Sequence, residues 1–201
     1  MHIVSHEEYL AKVEPILRNV FVDDDPFGPS FAPNIHGRKI IYRYKNYIDP
    51  PFTDTLMEAA SKLGDEGCYI SLIWRPRHEP WHWYIPFSEF NSAYVENKKE
   101  FDEFGMRHVF ALENVLYSPQ GKWGIMFSHE GHALLGSSQS FIEEIQKAIP
   151  DLDLQVYEFL KYWKYCKDNY SSAETAWLPE LLAQVYGQEN AEKMLRENGL
   201  P

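Results

Sequence analysis

The amino-acid sequence predicts an α+β protein: a mainly antiparallel sheet with helices packed on one face, plus a C-terminal helical appendage. Three observations carry this. The stretch 108–150 reads as three strands followed by a capped helix. Upstream, 68–74 and 81–87 read as a hairpin of two strands. Beyond Pro150, apolar residues recur at helical spacing. The division is a core over 1–150 and a helical appendage over 151–201, with a soft boundary at Pro150.

Taken in order, Ser5-His6-Glu7-Glu8 forms a capping box that opens a helix to about Val20. Pro15 lies inside it and predicts a kink or an early stop. DDDPFGPSFAP is a loop, since three prolines and a glycine break both periodicities. Residues 37–48, rich in Ile and Tyr with charges between, predict a strand with one wet face. Thr53 or Asp54 caps a helix to Leu63, and Gly64 stops it. Ser88 caps another, ended near Gly105. Strands are predicted over 108–117, 122–128 and 132–136, with SPQG and HEG as the turns. Ser140 and Glu143 make a second capping box for a helix over 140–149, whose Phe141, Ile142 and Ile145 face the core. LQVYEFLKYWKYCKD is helical, and Gly187 divides the last two helices.

Composition narrows the function classes. The chain has 201 residues, enough for roughly 70% of the unfolded surface to be buried without staples. A net charge of −11 without a clustered basic patch excludes nucleic acid as a direct ligand. It suits a basic partner, or simple solubility. Cys68 and Cys166 have no CxxC spacing and read as buried reduced thiols. The N-terminus lacks a basic segment followed by an apolar one, and no run approaches the ~20 apolar residues of a membrane span. The expectation is a cytoplasmic protein with no membrane partner and no cofactor.

Four constellations are candidates for chemistry or binding. The first is His129-Glu130-Gly131-His132. A helical zinc site needs two histidines four apart, whereas here the spacing is three and Gly131 argues for a turn. Metal at His129, Glu130 and His132, with help from His82 or His108, is therefore the alternative reading and a polar hairpin tip the simpler one. The second is Gly136-Ser137-Ser138, placed like a nucleophile between strand and helix but lacking G-x-S-x-G. Turn and capping roles explain those serines more simply.

The third is the hairpin from Trp74 to Trp83. Alternation sets Trp81 and Trp83 on one face and His82 and Tyr84 on the other. Arg75, Arg77, His78, Trp81 and His82 are candidate contacts for a partner, since Trp and Arg dominate binding energy at interfaces. The fourth is Asp23-Asp24-Asp25, which lacks EF-hand spacing and reads as a solvated acidic loop able to meet a basic partner. In the C-terminal helix pair, glutamates outnumber the bases Lys193 and Arg196, so a DNA-recognition helix is rejected.

Glu113-Asn114-Val115-Leu116-Tyr117-Ser118-Pro119, Gly121-Lys122-Trp123-Gly124, Ala133-Leu134-Leu135-Gly136 and Phe141-Ile142-Glu143-Glu144 follow one another in order. This segment resembles small bacterial proteins of the kind found as immunity proteins beside polymorphic toxins. The resemblance implies a cytosolic protein that binds a cognate toxin and blocks it. It transfers no functional residue, because the similar segment is scaffold. Two further readings stand beside this binding module: a small metal-dependent hydrolase or small-molecule binder on the His129 hairpin, and a subunit that uses the aromatic hairpin as a contact.

Overall fold

The computed structural model describes residues 1–42, 50–75, 77, 78, 80–95, 113–171 and 173–200. Seven strands form one antiparallel sheet in the order β1-β4-β3-β5-β6-β7-β2. They are β1 (His2–Val4), β2 (Gly37–Tyr42), β3 (Gly67–Leu72), β4 (His82–Pro86), β5 (Asn114–Tyr117), β6 (Gly124–Phe127) and β7 (His132–Ser137). The predicted strand residues 43–48 and 108–112, the helix beyond Val95, and His108 lie outside the described residues.

The α+β class and the antiparallel sheet are as the sequence predicts, but helices cover both faces rather than one. On one face, Ile70, Leu116, Ile125 and Leu135 pack in a single apolar cluster with Leu56, Phe90 and Ile145. Those three come from α3 (Pro50–Lys62), α4 (Phe87–Phe90) and α5 (Gln139–Ala148). On the other face, Val115, Tyr117, Met126 and Leu134 meet the N-terminal segment together with Phe159, Leu160, Leu181 and Leu195. The latter four lie on α6 (Gln155–Asn169), α7 (Leu178–Tyr186) and α8 (Gln188–Glu197). The C-terminal helices are thus the cover of the second face. Every residue of β5, β6 and β7 is buried, as sandwiching between two layers requires.

Local chemistry explains the departures at helix ends. Ser5 caps α1 (His6–Glu8) by accepting the Glu8 N–H at 3.2 Å. The segment then widens into a π turn (Tyr9–Val13) before α2 (Glu14–Leu17). Pro15 has no N–H, and its ring would strike a carbonyl one turn back. The widened turn absorbs that clash, and the helix stops at Leu17 rather than Val20. Ser138, not Ser140, caps α5, accepting the Phe141 N–H at 3.3 Å. α3 begins at Pro50, ahead of both Thr53 and Asp54. Those two instead hold Asn91: Thr53 donates to its Oδ1 at 3.2 Å, and its amide donates to Asp54 at 2.8 Å. α4 begins at Phe87 behind Pro86, so Ser88 is not its cap.

Gly136 is fixed by packing. A Cβ on Gly136 of β7 would stand 2.5 Å from the Phe31 ring. Gly136→Ala is expected to destabilise the chain by about 1–3 kcal/mol through overpacking. A midpoint in urea unchanged from the native chain would refute this.

Candidate functional site

The strand pairing gathers two of the predicted constellations at one end of the sheet. Leu72, at the end of β3, lies opposite Asn114, at the start of β5. Asn114 in turn lies opposite Phe127, the last residue of β6. The Trp74–Trp81 turn, Glu113 and the His129–Gly131 turn therefore share one edge of the molecule. Four strand spacings separate β4 from β7, roughly 20 Å. Glu113 joins the two turns. Its carbonyl accepts the Ile73 N–H at 2.9 Å, and its carboxylate accepts the His129 N–H at 3.2 Å and Nδ1–H at 2.7 Å.

His129, Glu130 and His132 are not brought together as metal ligands. His132 is fully buried. Its Nε2–H donates to the Pro26 carbonyl at 3.0 Å, because a carbonyl only accepts. Its Nδ1 lies 2.9 Å from the Ser128 hydroxyl. Both ring nitrogens are thereby engaged, and Phe27 and Trp177 lie against the ring at 5.4 and 5.5 Å between centroids. His129 is exposed, on the outside of the turn, with Nε2 3.4 Å from Glu130. Among the described residues, no group of three or more His, Cys, Asp or Glu could hold a metal ion. The serines are structural too: Ser137 donates to the Lys122 carbonyl at 2.8 Å, and Ser138 caps α5.

What this edge holds instead is an open cavity of about 510 Å³. Phe27, Trp163, Trp177 and Tyr170 wall it, with Glu130 and Glu174 beside them. The rings stand nearly at right angles. Phe27 meets Trp177 at 74° and 5.0 Å, and Trp163 meets Trp177 at 89° and 5.1 Å. Asp25 positions Phe27 by accepting its backbone N–H at 2.9 Å, a turn typical of aspartate.

The acidic loop is therefore not simply a solvated charge cluster. Asp24 is paired with Arg18 at 2.7 Å, and Asp23 accepts the Asp24 N–H at 2.7 Å. Exposed aromatics surround the cavity: Tyr170 is 55%, Tyr165 56% and Tyr162 45% exposed. Tyr165 packs edge-on against Tyr170, and Tyr162 lies against Tyr42 at the end of β2.

At the hairpin, Arg77 and His78 are exposed and Trp81 is half-buried. Arg75 lies over the Tyr9 and Trp81 rings at 5.5 and 6.0 Å. Trp74, 63% exposed, is the tip's most prominent aromatic. His82 is not a surface contact: it is 1% exposed beneath Tyr9, whose ring stacks on it at 3.7 Å. Its place in the even-numbered half of β4 turns it to the same face as Tyr84, as alternation requires.

His82 belongs to a buried polar chain. Tyr117 OH lies 2.9 Å from Ser71 Oγ, Ser71 Oγ 2.9 Å from His82 Nδ1, and His82 Nε2 3.2 Å from His6 Nδ1. A run of donors that starts at Tyr117 and ends at His6 satisfies every proton in it. Burial, the Arg75 charge and His6 push the His82 imidazole down to about 3, so it is neutral at pH 7. Burial likewise raises the Tyr9 phenol to about 12.

Cys68 and Cys166 are free and buried, and burial pushes the Cys68 thiol up. No helix among the described residues is long and apolar enough to cross a membrane. The fold and the site define an α+β protein with an aromatic-walled, acid-rimmed cavity at one end of its sheet. Comparison with protein families, with curated proteins and with solved structures finds no match to this chain.

Proposed function

We propose that this chain is a binding module of the toxin-immunity type, acting in the cytoplasm, which blocks a basic protein partner by stoichiometric docking. The observation that carries the reading is the collection of exposed aromatics at one end of the sheet. Tyr162, Tyr165 and Tyr170 are each more than one-third exposed near the open cavity, and Trp74 is exposed on the hairpin at the same end. Water-facing aromatic area of this kind supplies binding energy when a partner covers it. The net charge of −11 adds long-range attraction for a basic surface, which acts mainly on the association rate. The resemblance of the Glu113–Glu144 segment to immunity proteins points to the same use.

The test is capture from cell lysate at low salt on the immobilised chain, beside Trp74→Asp and Tyr170→Asp variants. Both side chains are mainly solvent-exposed, so the fold should survive. A single basic protein held one-to-one by the native chain, and at least tenfold more weakly by each variant, is expected. Its association should slow as salt rises. Equal retention by all three proteins, or none by any, would refute the reading.

A further inference from the structure

We infer that the aromatic cavity receives the guanidinium of an arginine side chain carried by the basic partner; this rests on the docking reading above. The walls are aromatic: Phe27 and Trp163 each stand edge-to-face against Trp177. Phe27 and Trp177 are half-buried, and the ring surface they leave on the cavity is of the kind that attracts a cation. Two carboxylates, Glu130 and Glu174, lie on the lining beside His129, and no lysine or arginine does. His129 is engaged by Glu113 at Nδ1 and lies against Glu130 at Nε2, so the acids set the charge that an entering group meets.

The shape favours arginine over lysine. A planar guanidinium lies flat on an indole and offers a fork of donors to a carboxylate, whereas an ammonium is a compact, strongly hydrated charge. Cys166 and Ala173 give the lining the apolar surface that an arginine stem would cover. The volume, about 510 Å³, accommodates a whole side chain rather than an ion.

The full chain would be titrated with N-acetyl-arginine amide, N-acetyl-citrulline amide and N-acetyl-lysine amide, following the indole NMR signals. Citrulline keeps the shape of arginine and lacks its charge. The arginine derivative is expected to bind on the order of tenfold more tightly than citrulline, the scale of a cation–π and carboxylate contact. Glu130→Gln combined with Glu174→Gln should bring arginine down to the citrulline level, with the indole spectrum of the free protein preserved. Equal binding of citrulline, equal binding of lysine, or no arginine binding up to its solubility would each overturn the assignment.

The two readings fail separately. Partner capture undiminished in the double Gln variant would remove the arginine pocket and leave the docking face. Charge-selective binding of the arginine amide without any captured partner would do the reverse.

Discussion

Asp65→Ala is expected to cost about 3–5 kcal/mol of folding stability, a large share of what a domain has. Asp65 is 4% exposed and accepts three side-chain donors. Ser118 Oγ and Trp123 Nε1 reach its Oδ2 at 2.7 and 2.9 Å, and Gln120 Nε2 reaches Oδ1 at 2.8 Å. The Ser118 and Trp123 donors are fully buried, so alanine leaves both without an acceptor or access to water. Each orphaned donor costs about 1–3 kcal/mol, more when the lost partner was charged. Asp65→Asn keeps one accepting oxygen and should lose less. Urea unfolding with an unchanged slope measures both. A loss below about 1 kcal/mol for alanine would show that the turn holds itself without Asp65.

The second large effect is a dependence on acid carried by His82. An unfolded histidine titrates near 6.5, and His82 in the fold has been pushed down to about 3. The unfolded chain therefore binds the proton more readily. The stability held in the neutral ring is fully present above 6.5 and is lost as pH falls toward 3. Between pH 7 and 5 this group alone should remove about 2 kcal/mol.

The groups facing the ring are His6, Tyr9, Arg75 and Ser71, with Tyr117 behind Ser71. Arg75 and His6 both oppose a second positive charge there. His82→Gln should be less stable at pH 7 but should lose distinctly less on acidification. Parallel pH profiles for the two proteins, by denaturant titration, would contradict this.

Much of the fold was legible in local sequence, and the exceptions have definite causes. Ser118-Pro119-Gln120-Gly121 announced a turn, but its anchor lies at Asp65, and no local pattern connects the two. The apolar runs of β5, β6 and β7 are nearly unbroken rather than alternating. That continuity is the mark of strands covered on both sides, and it was the available sign that helices would lie on two faces. Alternation did assign His82 and Trp83 to opposite faces of β4. It could not tell that Tyr9 would close over His82.

The cavity was hidden for another reason. Phe27, Glu130, Trp163 and Trp177 come from four separate segments, and only the strand order brings them together. The Asp23–Asp25 run drew notice for its charge. Its contribution to the site is the turn by which Asp25 places Phe27.

The strand order also bears on how the chain reaches this state. β2 is made early, yet its partner is β7, with Gly37 opposite Ser137 and Tyr42 opposite His132. Its outer contacts come later still, from α6 and α7, where Gln184 accepts Arg38 at 2.7 Å. Pairings this distant in sequence slow folding, because a long loop must close before any contact rewards it. During synthesis, Ile40 and Ile41 emerge well before the strand that pairs with them. Until β7 is made, β2 has no neighbour to hydrogen-bond with, and its apolar residues favour unwanted association.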